Sequence, residues 1–225
     1  MTLTSHPLPF DRPPLVCDGK RCSIADLEAL PSEVPSGPVD YELDDGRLIT
    51  MVPTGDFHAA TQAKFACELI VQGERRGLGV ARTEGGVVLW RRPDRLVGPD
   101  VAFILARSLP VRRSPEGYLE TIPELIIEVR SKNDSREYLE RKTGDYLAAG
   151  AWLVLIADPE TKTITAHRPD GSLRTFGERD VLTLEGVLPD FRAAVALRRH
   201  DLEVNHVVGV EQREGDAAGR VDDRQ

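Results

Sequence analysis

No apolar run in this 225-residue chain approaches the roughly 18 residues that a membrane-crossing helix needs. The start, MTLTSHPLPFDRPP, lacks the basic flank and apolar stretch of a secretory signal. Neither a membrane partner nor export is therefore expected. Cysteine is scarce: Cys17, Cys22 and Cys67 are an odd set without metal-ligand spacing. They read as free thiols in a reducing cytoplasm. A glycine-rich phosphate loop, a Ser–His–Asp arrangement, a Cys/His zinc pattern and an internal repeat are all missing. Those absences argue against P-loop nucleotide hydrolysis, serine-hydrolase chemistry, a zinc module and a solenoid. Positive charge is also in deficit. With 29 basic against 37 acidic side chains the formal net charge is −8, which argues against binding nucleic acid through sheer positive charge.

The remaining composition, 40% hydrophobic and 29% charged, fits a globular domain with a substantial core. Charge is unevenly spread. Residues 201–225 hold seven acids against three arginines, whereas residues 91–142 carry nine arginines. Residues 1–22 are proline-containing and aperiodic, an irregular N-terminal arm. Ser23 can cap a short helix, IADLEAL. Two β-like runs flank Asp45-Gly46 in YELDDGRLITM, a hairpin signal. The following helix carries Phe65, Ala66, Leu69 and Ile70 on one face, with His58 and Gln62 four apart near its start and a stop at Gly77. GVART, GVVLW and VGPDVAFIL read as strands, ELIIEVR and WLVLIAD as buried strands, and TITAHR and LRTF as further strands. Between the two buried strands lies a helix that Asp134 caps with Glu137 and Gly150 ends. Strand, helix, strand across 124–157 implies a parallel pair, and the hairpins add antiparallel strands. The expected class is α/β, one mixed β-sheet flanked by helices. An acidic C-terminal tail covers 198–225, with LEVNHVVGV as a candidate docking segment.

Three charged residues break the apolar patterning. Asp100 opens VAFIL, and Glu128 sits between Ile127 and Val129. Lys142 shares a helical stripe with Leu139, Thr143 and Tyr146 that should face the sheet. Charges among apolar neighbours are costly unless they bind an opposite charge or a metal. Carboxylates near the ends of adjacent strands can converge on one cation, and oxygen ligands suit Mg²⁺ or Mn²⁺. A lysine ammonium beside them could orient water or stabilise charge on phosphate. Each residue also has a plainer reading: a turn aspartate, a solvated glutamate, a lysine snorkelling to the edge. Trp90, Trp152 and Tyr146 read as core.

The strings YELDDGRL, GPDVAFI, PELIIEVRS, ERKTGDYLAAG and WLVLIADPETKTITAHR resemble the Uma-two family of the PD-(D/E)XK nuclease superfamily over residues 23–197. That resemblance implies a restriction-endonuclease-like sheet flanked by helices and a Mg²⁺- or Mn²⁺-dependent endonuclease acting on DNA. It implies Asp100 and Glu128 as metal ligands, with the Val129 carbonyl as an extra one. Glu42 would support them from the yEl-dG block and His58 from the start of the long helix. Where the superfamily has lysine, two residues after the glutamate, this chain has Arg130, which stays protonated. Lys142 on the following helix fits the vacant part. A homodimer suits such an enzyme, because cutting both strands needs two sites. The contrasting expectations are a nuclease-fold binding module with little catalysis, or a hydrolase of another phosphate ester.

Overall fold

The computed structural model describes residues 21–34, 37–51, 53–132 and 134–195. Most of the N-terminal arm, Cys17, the acidic tail and LEVNHVVGV lie outside them. In chain order the elements are α1 (Ile24–Leu27), β1 (Glu33–Val34), β2 (Gly37–Pro38), β3 (Asp40–Asp44), β4 (Arg47–Met51), α2 (Asp56–Gln72), β5 (Gly79–Thr83), β6 (Val87–Trp90), β7 (Arg95–Val97) and β8 (Val101–Leu105). Then follow β9 (Leu125–Val129), α3 (Arg136–Ala149), β10 (Leu153–Asp158), β11 (Thr163–His167), β12 (Leu173–Phe176), β13 (Val181–Leu184) and β14 (Leu188–Ala194).

Two sheets, rather than one, carry the molecule. The larger has the order β12-β11-β10-β9-β8-β5, and a four-stranded sheet has the order β4-β3-β7-β6. The chain crosses between them more than once, the last time at Gly98-Pro99-Asp100, between β7 and β8. A proline there has no N–H for a ladder, so the run VGPDVAFIL cannot continue as one strand. The expected parallel pair is β9 with β10, which sets Glu128 beside Ile156. Every other neighbour in the larger sheet is antiparallel. Asp45 and Gly46, with φ of 50° and 78°, form the predicted tight hairpin between β3 and β4.

Period-two alternation splits β9 between two helices. Leu125, Ile127 and Val129 join a core with Phe65 and Leu69 of α2 and Phe103 of β8. Ile126 faces the opposite side, in a cluster with Tyr146 of α3, Ile104 and Val154. Each fully buried aliphatic or aromatic side chain in these layers contributes about 1.5–3 kcal/mol. Glu128 is two residues on from Ile126, so it shares the α3 face.

Several local expectations need correction. Ser135, not Asp134, caps α3: its hydroxyl accepts from Tyr138 N–H at 3.1 Å, while Asp134 accepts from Ser131 N–H. Ile70 is 38% exposed because it lies off the buried stripe of His58, Thr61, Gln62, Phe65 and Leu69. Trp152 is no core residue; it is 42% exposed and stacks under the Arg107 guanidinium. Cys67 is a free exposed thiol, but Cys22 is disulfide-bonded. The hairpin of β13 and β14, unforeseen from the sequence, buries Leu182, Leu184, Leu188 and Phe191 in the main core.

Candidate active site

The charged residues that break the apolar pattern meet where β9 ends. Glu128, the penultimate residue of that strand, is 6% exposed. The Tyr146 hydroxyl donates to its Oε1 at 2.6 Å, and the Lys142 ammonium lies 3.1 Å from the same oxygen. Tyr146 and Lys142 are four apart on α3, so one helical face presents both. The ammonium also reaches Oε1 of Glu42 on β3, again at 3.1 Å. Glu42 is 2% exposed and accepts two more hydrogen bonds, from Gly98 N–H at 2.9 Å and the Tyr138 hydroxyl at 3.1 Å. Lys142 therefore does not snorkel. It is 3% exposed and bridges a carboxylate of each sheet.

A second group adjoins the first. Asp100 stands just before β8, and its Oδ2 accepts from Val129 N–H at 2.6 Å. His58, in the first turn of α2, places Nε2 3.2 Å from that oxygen. Gln62, one turn later, donates to the Asp100 carbonyl at 3.0 Å and to the Glu84 carboxylate at 2.8 Å. His58 and Gln62 are thus buried partners of Asp100 rather than cap or surface residues. Glu84 escaped the reading of the sequence. Its only local signal is its place just before a Gly-Gly pair; here it has a φ of 53°, unusual for a residue other than glycine.

Arg130 stays apart. It binds Asp158 at 2.7 Å and lies near Glu160, so it does not compete for these carboxylates. The Val129 backbone bonds Asp100 through its N–H, and the Nδ1 of His58 is buried without a hydrogen-bond partner among the described residues.

The electrostatics report a shortage of positive charge. Burial pushes the Glu128 carboxyl up to about 7, with Asp100 and Glu42 adding to the shift and Lys142 and Tyr146 opposing it. Burial alone would lower the Lys142 ammonium, but Glu128, Tyr146 and Glu42 hold it well above its ordinary value. Burial also works against the His58 imidazolium, yet Asp100 and the Val129 backbone raise it above an ordinary histidine. Burial raises Glu84 as well, with Gln62 opposing. Four carboxylates face one ammonium and one imidazole, so both members of the central pair hold protons tightly.

That imbalance and the hard oxygen donors fit a divalent cation chemically. No cage is preassembled: among the described residues no group of three His, Cys, Asp or Glu side chains stands ready to hold a metal ion. A cation would compete with Lys142 and His58 for the oxygens of Glu42, Glu128 and Asp100.

A family model described as "Putative restriction endonuclease" (Uma2) matches residues 24–196. A crystal structure described as a putative nuclease belonging to DUF820, from Anabaena variabilis ATCC 29413, superposes with a TM-score of 0.63 at 17% identity. The match covers 79% of this chain and 95% of that one. No protein with a curated description matches. The restriction-endonuclease-like fold expected from the sequence is the fold observed, with sheets flanked by helices.

Proposed function

Because the chain belongs to the Uma2 family of putative restriction endonucleases, we propose that it hydrolyses DNA phosphodiester bonds with the help of Mg²⁺ or Mn²⁺. The observation that carries this reading is Glu128, a buried carboxylate on a central strand, sharing one ammonium with Glu42 and standing close to Asp100. Asp100, Glu128 and the Val129 carbonyl are the residues that would hold the ion, with Glu42 in support. When bound, the ion supplies a polarised phosphate oxygen and a more acidic water.

The chain's own groups divide the remaining work. Lys142 keeps its proton, so it cannot serve as a base; it is a fixed positive charge for the phosphate charge that grows during attack. His58 and Val129 N–H orient the Asp100 carboxylate. Tyr138, Tyr146 and Gly98 N–H orient Glu42 and Glu128, so neither must reorganise while the reaction proceeds.

Purified protein with supercoiled plasmid and Mn²⁺ tests the reading. Nicked and linear products are expected, and Asp100→Asn and Glu128→Gln should each abolish them. Cleavage that survives both substitutions assigns the activity elsewhere. Cation binding without cleavage favours a nuclease-fold binding module, and cleavage of RNA or nucleotides alone favours another phosphate ester.

A further inference from the structure

The site is assembled from three separate bodies. Glu42 belongs to the small sheet, Glu128 to the large sheet, and Lys142 to α3. Their 3.1 Å contacts require something to fix α3 against the small sheet. Hydrophobic packing does this poorly, because it is non-directional.

Arg95, on β7, is fully buried. Its Nε donates to Asp145 Oδ2 at 2.9 Å, and Asp145 lies one turn after Lys142 on α3. Its Nη1 donates to the Leu43 carbonyl at 3.0 Å, the peptide oxygen next to Glu42. Asp44 is 3.9 Å from the same guanidinium and also pairs with Arg141 of α3, the residue before Lys142. One planar group thus grips the strand beside Glu42 and the helix beside Lys142. The fixed fork of a guanidinium sets both distance and angle, which an ammonium cannot do. Its buried Nη2 finds no partner among the described residues. Burying such a donor is costly, so tight space filling alone does not account for an arginine here.

We propose that Arg95 is a positioning residue, which holds α3 in the register that places the Lys142 ammonium against Glu42. It touches neither Lys142 nor any site carboxylate by hydrogen bond; it acts through Asp145 and the Leu43 carbonyl. Its consequence for catalysis rests on the nuclease reading above, whereas its geometric consequence does not.

Nuclear magnetic resonance of the lysine ammonium groups in the full chain tests it. A doubly paired, buried ammonium exchanges its protons slowly, and Lys142→Arg identifies that signal by its loss. Arg95→Lys keeps a cation beside Asp145 but cannot also reach the Leu43 carbonyl. The double variant Arg95→Met with Asp145→Leu replaces the pair by apolar groups and leaves neither charge of that pair stranded, so it is expected to fold. In both variants the Lys142 ammonium should exchange about tenfold faster or more, as the loss of an oriented hydrogen bond implies. A folded variant of either kind that keeps the native Lys142 exchange rate overturns the proposal, whatever its melting temperature. In the cleavage assay, kcat should fall with KM unchanged. If the unaltered protein cleaves nothing, the nuclease reading falls, and the ammonium exchange still decides the role of Arg95.

Discussion

Glu128 shows what a single residue can reveal and conceal. Its place between two apolar neighbours marked it as a buried charge that needs a partner. The identity of those partners, Lys142 and Tyr146, came half from the helical stripe and half from tertiary structure. Tyr146 read as plain core because a tyrosine in an apolar stripe gives no sign of where its hydroxyl points. The Glu128 environment makes a prediction with a definite sign. Its folded pKa, about 7, lies above the 4.5 of an ordinary glutamate. Between these the folded state holds a proton that the unfolded state has released. This group's contribution to stability is therefore greatest below the lower value and falls as pH rises through the window. The loss is of the order of 3 kcal/mol. Denaturant midpoints measured without divalent ions from pH 4.5 to 8 should fall for the native chain, and Glu128→Gln should flatten that slope. Parallel profiles for the two proteins would disprove the assignment. Lys142→Met is expected to cost about 3–5 kcal/mol above pH 7, because it strands buried carboxylates; the same denaturation series measures it.

At the scale of elements, the strands and helices with clear periodicity were legible, and their errors have physical causes. Asp134 and Ser135 both suit a helix N-cap, and spacing alone could not choose between them; Asp134 instead closes a turn onto Ser131. The strings LITM and VVLW do read as strands, but nothing in them says that they leave the main sheet. Sheet membership depends on long-range pairing, here of β3 with β7 at Leu43 and Leu96. Glu42 was named from a family resemblance, and its burial follows from that second sheet folding over α3. One close approach within the large sheet is testable. A Cβ on Gly79 would stand 2.2 Å from the Ile104 carbonyl and 2.6 Å from the Phe103 ring. Both lie in the pairing of β5 with β8. Gly79→Ala should cost about 1–3 kcal/mol through backbone displacement, read as a lower denaturation midpoint. Gly144→Ala, with nothing within 4 Å of its added Cβ and a helical setting, should stabilise by up to about 1 kcal/mol. If the two substitutions have equal effects, the packing of β5 is not as described.

At the scale of the whole molecule, the nine arginines between residues 91 and 142 invite reading as a DNA-binding surface, above all around 91–95 and 107–113. The fold reassigns much of it. Arg95 is buried in the seam between α3 and the small sheet. Arg91 pairs with Glu116 and Glu120, and Arg112 also pairs with Glu120. Arg107 follows β8 at the end opposite Asp100, so a strand of five residues, about 17 Å, separates it from the site. It stacks there on Trp152, which precedes β10 at that same end of the sheet. A net charge of −8 further weakens any general attraction to a polyanion. Metal-free DNA binding should therefore release few counterions. A plot of log affinity against log salt is expected to have a slope shallower than about −3, the value for three neutralised phosphates. Arg107→Ala and Arg112→Ala should leave both affinity and slope unchanged. Added Mn²⁺ should strengthen binding, because a cation among Glu42, Asp100 and Glu128 would offset the charge that repels phosphate. Asp100→Asn should weaken that gain by weakening the cation's hold. A steep slope lost on Arg107→Ala would instead place the DNA track at the far end of the sheet, away from the carboxylates.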